Sequence, residues 1–120
     1  MARRPVLACN LLIPVNRDSE LSDGQPNSPG TWSWLETALY ERFGGWTRAP
    51  GLYAGFYRDP DTDEKVSDES REYIVAVPQS RLKQLRSLVV EACRVFAQKC
   101  IYLSVAGRVE FIEAKKHEPG

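Results

Sequence analysis

The fold is decided by two short segments, VLACNLLI at residues 6–13 and EYIVAV at residues 72–77. Successive side chains of a strand point to opposite faces, and in both segments both faces are mostly apolar. Strands with two apolar faces are typical of the centre of a sheet that is covered on both sides. The two segments therefore predict the central strands of a sheet.

A helix is predicted between these two strands. Ser33 and Glu36 have the spacing of a capping box, so the helix is expected to begin at Thr31 or Ser33. The pair Gly44-Gly45 is expected to end it, because a left-handed residue commonly follows the last helical turn.

Other elements follow from apolar spacing. Alternating residues predict a strand at 52–58, and apolar positions three or four apart predict a helix from Ser80 to about Lys99. A strand at 101–105 follows, with an extension at 109–112 after a bend. The order β-α-β-β-α-β, with a possible extra C-terminal strand, predicts a ferredoxin-like α+β fold in which both helices cover one face of an antiparallel sheet.

The chain length of 120 residues predicts one domain. Within it we expect a long polar loop at 14–30, which is either mobile or functional, an acidic hairpin loop at 58–71 and a frayed tail at 114–120.

Composition restricts the function classes. Sixteen basic and 16 acidic side chains give zero net charge, which disfavours nucleic-acid binding by bulk electrostatics. The longest apolar run is far shorter than the roughly 20 residues of a membrane span, so a cytoplasmic protein without membrane contact is expected. Cys9, Cys93 and Cys100 form no metal or disulfide pattern, and the glycines match no phosphate-binding motif. We therefore predict no metal and no cofactor.

The two-sided apolar strands predict that the sheet face without helices is also covered. A second copy of the chain is the simplest cover, so a homo-oligomer, with a dimer favoured, is predicted; a protein or small-molecule partner is the alternative, as is the 14–30 loop. Strand tyrosines are candidates for that interface or for a ligand site, because their rings are apolar and their hydroxyls polar. They are Tyr53, Tyr57, Tyr73 and Tyr102.

Two charged groups are further candidates. The acidic loop comprises Asp59, Asp61, Asp63 and Glu64. It begins like a calcium-binding loop but lacks the glycine and the final glutamate, so a solvated hairpin tip is predicted; weak cation binding and the repulsion or selection of a partner are the alternatives. The basic face of the second helix comprises Lys83, Arg86 and Arg94. It is interpreted as an ordinary surface rather than a phosphate contact.

In element order, residues 6–112 resemble the dimeric α+β barrel proteins and the PII-like signalling proteins. The predicted loop at 58–71 lies where PII-like proteins carry their long loop. The resemblance implies an oligomer built on a ferredoxin-like sheet, and it assigns no site residue.

No nucleophile, base and orienting group come together in the sequence, so no catalytic residue is predicted. The function expected from the sequence is a non-enzymatic binding or regulatory module. The alternatives are a PII-like sensor of a small anionic ligand or nucleotide, and a dimeric α+β barrel enzyme acting on a small aromatic or lipophilic substrate.

Overall fold

A computed structural model describes residues 5–114, in which two α-helices pack against one antiparallel sheet of six strands. The elements are β1 (Val6–Pro14), α1 (Pro29–Phe43), β2 (Thr47–Arg48), β3 (Tyr53–Arg58), β4 (Lys65–Pro78), a short 3₁₀ turn (Gln79–Arg81), α2 (Leu82–Val95), β5 (Cys100–Val105) and β6 (Arg108–Glu113). The predicted α+β class with an additional C-terminal strand is confirmed. The tail predicted at 114–120 lies outside the described residues, apart from Ala114.

β1 is central in the sheet and pairs with β4 on one side and β5 on the other. β6 extends the sheet beyond β5, while β2 and β3 both pair with β4. The first and third predicted strands are therefore central, as their two-sided apolar patterns indicated.

β4 begins earlier than the sequence predicted. Residues 65–70 pair with β3, and residues 70–78 pair with β1. The predicted loop at 58–71 is therefore corrected to a tip of residues 59–64. The first half of β4 is mostly polar, so it lacks the apolar alternation by which a strand is recognised.

The start of α1 also differs from the prediction. Ser28 caps the helix: its side-chain oxygen accepts a hydrogen bond from the backbone N–H of Thr31, and Pro29 follows at the first helical position. Gly44 ends the helix in a left-handed conformation with φ of 88°, as predicted. α2 is shorter than expected, because it begins after the 3₁₀ turn and ends at Val95.

The core lies between the helices and one face of the sheet. Side chains of β1, β4 and β5 that share this face, including Leu11, Val75 and Leu103, are almost completely buried. Trp32 of α1 packs edge-on against Phe96, with 4.7 Å between the ring centroids. This single-sided core confirms that both helices cover the same face.

The opposite face of the sheet carries exposed apolar side chains. Ile74, Val109 and Phe111 are exposed there, and Phe111 packs edge-on against Tyr102. The connection after β1 therefore leaves much of this face open in the described chain. Within residues 5–114, no helix is both long and apolar enough to cross a membrane.

Candidate functional site

A cleft of about 440 Å³ lies beyond the C-terminal end of β1, beside the ribbon formed by β3 and β4. One wall is the connection after β1, and the other is the β3–β4 hairpin. Its volume falls within the range of about 300–1,000 Å³ that is typical of small-molecule sites. We call it the acidic cleft because six of its seven charged lining residues are acids. They are Asp18, Glu20, Asp59, Glu64, Asp68 and Glu69, and the seventh charged residue is Arg17.

The wall that follows β1 is held by side-chain hydrogen bonds. The guanidinium of Arg17 donates to both carboxylate oxygens of Asp23, at 2.7 and 2.8 Å, and this contact lowers the pKa of Asp23 to about 2. The buried amide of Asn27 donates to the carbonyl oxygen of Phe96 at 3.3 Å. Since Asp23 neutralises the single arginine of the lining, the cleft keeps an excess of negative charge.

The hairpin wall is organised by Asp59, which is only 5% exposed. Its Oδ1 accepts hydrogen bonds from the backbone N–H groups of Asp61 at 2.8 Å and Thr62 at 3.1 Å. The N–H of Asp61, followed by Lys99 and then by the N–H of Thr62, holds the pKa of Asp59 below its ordinary value. The chain closes around the tip through the N–H of Asp59, which donates to the carbonyl oxygen of Glu64 at 2.9 Å.

Lys99 joins the two walls. Its Nζ contacts Glu20, Asp61 at 2.9 Å and Asp59 at 3.0 Å. The hydrogen bond with Glu20, then that with Asp61, raises the pKa of Lys99. The three carboxylates are close enough together for a cation, with one oxygen from each within 4.8 Å of the others, and the ammonium of Lys99 contacts all three.

Asp68 and Tyr57 bring an unpaired carboxylate and an aromatic ring into the same cleft. Asp68 lies over Gly55, its partner in the β3–β4 register. Its carboxylate makes no hydrogen bond or ion pair within residues 5–114, and burial raises its pKa. The pKa of the Tyr57 hydroxyl is also raised, first by burial and then by the charge of Asp18 and of Asp68. A half-buried carboxylate without a partner, beside a ring, is suited to a cationic ligand.

The four predicted tyrosines are not brought together. Tyr57 alone lines the cleft. The hydroxyl of Tyr53 donates to Glu72 at 3.1 Å, and Tyr102 packs on the open sheet face. Tyr73 lies on the opposite, helix-covered face, where it is fully buried. It was therefore wrong to group Tyr73 with an exposed interface, because β4 directs its odd-numbered side chains into the core.

The four predicted residues of the acidic loop differ in their surroundings. Asp59 and Glu64 line the cleft and Asp61 contacts Lys99, whereas Asp63 is exposed and faces Arg58 at 3.5 Å.

On α2, the guanidinium of Arg86 donates to both carboxylate oxygens of Glu110, at 2.9 and 2.8 Å. Lys83 and Arg94 are exposed on the same helix. Because Glu110 already occupies Arg86, the basic face is weaker than its sequence indicated.

Sequence reasoning missed the roles of Asp18, Asp68 and Lys99. The sequence predicted Lys99 as the approximate end of the second helix, and Asp68 as part of the loop at 58–71. The available signal was local: Asp68 follows the aromatic strand YAGFYR at 53–58 at the distance of a hairpin partner. The placement of Asp18 and Lys99 depends on tertiary contacts, which single-sequence periodicity does not report.

Comparison with known proteins gives a likeness in fold. No protein-family model matches the chain, and no curated protein matches it significantly. The chain is similar to a solved phage SAM lyase in complex with S-methyl-5'-thioadenosine, with a TM-score of 0.71, 15% identity and 98% of each chain covered. It is also similar to a phage SAM lyase in the apo state, with a TM-score of 0.62, 16% identity and the same coverage.

These two structures correct the function expected from the sequence. Both of these solved proteins, which are similar to the chain over nearly their whole length, are enzymes, which contradicts the prediction of a non-enzymatic binding or regulatory module. The predicted alternative of a sensor for anionic ligands also conflicts with the cleft, because its carboxylates repel anions. The barrel-enzyme alternative, with its small aromatic or lipophilic substrate, is tested by neither structure.

Proposed function

We propose that this chain binds S-adenosylmethionine (SAM) in the acidic cleft and cleaves it as a lyase, releasing S-methyl-5'-thioadenosine. The observation that carries the proposal is the unpaired carboxylate of Asp68 beside the ring of Tyr57 in a cleft of negative charge. The likeness in fold to a phage SAM lyase supports the same reaction class.

The charge of the substrate fits the cleft. SAM carries a positive sulfonium, a positive ammonium and a negative carboxylate, so its net charge is positive. Clefts lined by charge of one sign attract ligands of the other sign and raise the rate of association. The ring of Tyr57 offers a face to the sulfonium, and Asp68 offers an acceptor to the ammonium.

The reaction cancels the charge at sulfur. The bond between the sulfonium and the Cγ of the methionine portion breaks, and its electron pair passes to sulfur, which leaves as a neutral thioether. The carbon fragment compensates either by bonding Cγ to its own carboxylate oxygen, which yields a lactone, or by losing a Cβ proton to a base. Neither route adds water.

The loss of charge at sulfur during the reaction determines which group of SAM Asp68 is expected to bind. A carboxylate pressed against sulfur would stabilise the charged substrate more than the transition state, in which that charge is disappearing. The ammonium, in contrast, keeps its charge throughout the lactone route. We therefore place Asp68 at the ammonium, where it acts in substrate binding.

The test is incubation of the purified chain with SAM, followed by mass spectrometry of the products. We expect S-methyl-5'-thioadenosine together with a four-carbon amino acid fragment that has gained no water. A fragment that is already heavier by one water at the earliest time points, before a lactone could open in solution, would indicate hydrolysis and contradict a lyase. Absence of turnover, with no thermal shift from either SAM or S-methyl-5'-thioadenosine, would contradict the proposed function altogether.

We also propose that the chain forms a homo-oligomer, as its strand patterns predict. The exposed apolar side chains on the open sheet face, including Phe111 at 67% exposure, support this proposal. Light scattering at micromolar concentration tests it, and a particle of 13.6 kDa, the mass of one chain, would contradict it.

A further inference from the structure

We propose that Lys99 is a positioning residue that fastens the two walls of the acidic cleft to each other, and so sets the geometry in which the substrate is held. The inference rests on the proposed function and extends it to a residue outside the ligand-contacting surface. Lys99 lies directly before β5, and its side chain is 17% exposed.

The partners of Lys99 come from both walls. Glu20 belongs to the connection after β1, whereas Asp59 and Asp61 belong to the hairpin tip. Along the chain, Asp59 lies 40 positions and Glu20 lies 79 positions before Lys99. The ammonium of Lys99 therefore links three segments that are far apart in the sequence: the connection after β1, the hairpin tip and the segment directly before β5.

The hairpin end of this contact is already rigid. Asp59 is fixed by the two backbone donors of the tip, at 2.8 and 3.1 Å. The tip is closed again by the N–H of Asp63, which donates to the carbonyl oxygen of Asp59 at 2.8 Å. Because Asp59 does not have to be ordered when Lys99 binds it, the contact with Lys99 loses little conformational entropy. The other end of the contact is Glu20, an exposed side chain of the connection after β1.

Electrostatic repulsion between the two acidic walls favours a positive charge between them. Like charges on facing walls repel each other, and Arg17, the basic residue of the lining, is engaged by Asp23. Lys99 supplies the positive charge between the walls while leaving Asp68 unpaired on the cleft surface. Without Lys99 we expect the connection bearing Glu20 to move away from the tip, which displaces the residues that face the ligand.

The variants are Lys99→Met, which keeps the length and removes the charge, and Lys99→Arg, which keeps the charge. We expect Lys99→Met to raise the KM for SAM by about tenfold, which corresponds to about 1.4 kcal/mol of binding energy, with a smaller change in kcat. Lys99→Arg should restore most of the loss. Lys83→Met, an exposed lysine on α2, is the matched control and should change nothing.

A measurement without substrate keeps the inference separate from the proposed function. Hydrogen exchange should accelerate in Lys99→Met at the N–H groups of residues 18–22 and 61–64, and Lys99→Arg should protect them. If Lys99→Met does not fold, Glu20→Gln, at an exposed position, releases one wall only and should give a smaller change of the same kind.

The outcomes distinguish the two ideas. A wild-type chain that neither binds nor cleaves SAM refutes the proposed function, while the exchange data still report on Lys99. Unchanged exchange in both segments, or a lower melting temperature with an unchanged KM, would overturn the inference about Lys99.

Discussion

At the scale of single residues, the carboxylate of Asp68 is both half-buried and without a partner, which sets it apart from Asp59 and Glu20, which are paired, and from Glu64 and Glu69, which are exposed. Asp59 and Glu20 are bound by Lys99, whereas Asp68 has no partner within residues 5–114. Leaving a half-buried charge unpaired has a cost in stability, because desolvation penalises the ionised form. Such a cost is common where the missing partner is a ligand.

Replacing Asp68 by Asn tests this assignment. The variant keeps the shape and removes the charge, so the loss of a charge-assisted hydrogen bond should raise the KM for SAM by about ten- to a hundredfold. The kcat should change less, because the ammonium has the same charge in substrate and transition state. Steady-state kinetics measures both, and a fall in kcat with an unchanged KM would place Asp68 at the reacting atoms instead.

The pH dependence of binding provides a second check on Asp68. Burial raises its pKa above the ordinary 3.8, so the affinity for SAM should fall as the pH decreases through the raised value. The contribution of Asp68 to stability has the opposite sign: it is present at low pH and is lost as the pH rises through that value. A loss of binding at low pH therefore cannot be caused by an effect of Asp68 on folding stability. In Asp68→Asn, the affinity for SAM should no longer fall over this range of pH.

Tyr57 is expected to act through its ring. Replacement by Leu should raise the KM for SAM by about two- to thirtyfold, corresponding to a cation–π contact of about 0.5–2 kcal/mol. Replacement by Phe should have little effect. Tyr53→Leu on the same strand is the control, since Tyr53 contacts Glu72 and does not line the cleft. Equal effects at Tyr53 and Tyr57 would contradict a specific role for Tyr57.

At the scale of elements, the sequence predicted what periodicity and burial determine. β1 and the second half of β4 are buried on one face and partly apolar on the other, so their pattern was sufficient to identify them as central strands. The first half of β4 extends beyond the core, and its pairing with β3 depends on backbone hydrogen bonds to which the side chains give no apolar signature. The cleft forms at that extension, which is why its position was not predicted.

The N-terminus of α1 is another position that the sequence pattern did not predict correctly, and stability measurements can test it. Ser28→Ala removes the cap and should lower the free energy of unfolding by about 0.5–2 kcal/mol. Ser33→Ala, at the predicted capping position inside the helix, should change it by less than about 0.5 kcal/mol. Chemical denaturation measures both, and the reverse order would favour the capping box inferred from the sequence.

At the scale of the whole molecule, zero net charge conceals a strongly uneven distribution. The 16 basic and 16 acidic side chains cancel over the chain, yet the charged lining of the cleft is six acids and one arginine. Composition was therefore a poor guide to the charge of a ligand, while the expectation that nucleic acid is not bound stays a prediction. The local field, rather than the net charge, determines which ligand is attracted.

Salt dependence separates the local field from the other contributions to binding. SAM is a net cation and S-methyl-5'-thioadenosine is neutral, although they share the adenosine and the methylthio group. Raising the ionic strength from about 0.01 M to about 1 M shortens the screening length from about 30 Å to about 3 Å, so we expect the KM for SAM to rise by about tenfold. Binding of S-methyl-5'-thioadenosine, followed by calorimetry, should change little over the same range. If both ligands responded equally to salt, the acidic cleft would not recognise charge, and the placement of the sulfonium compound within it would be wrong.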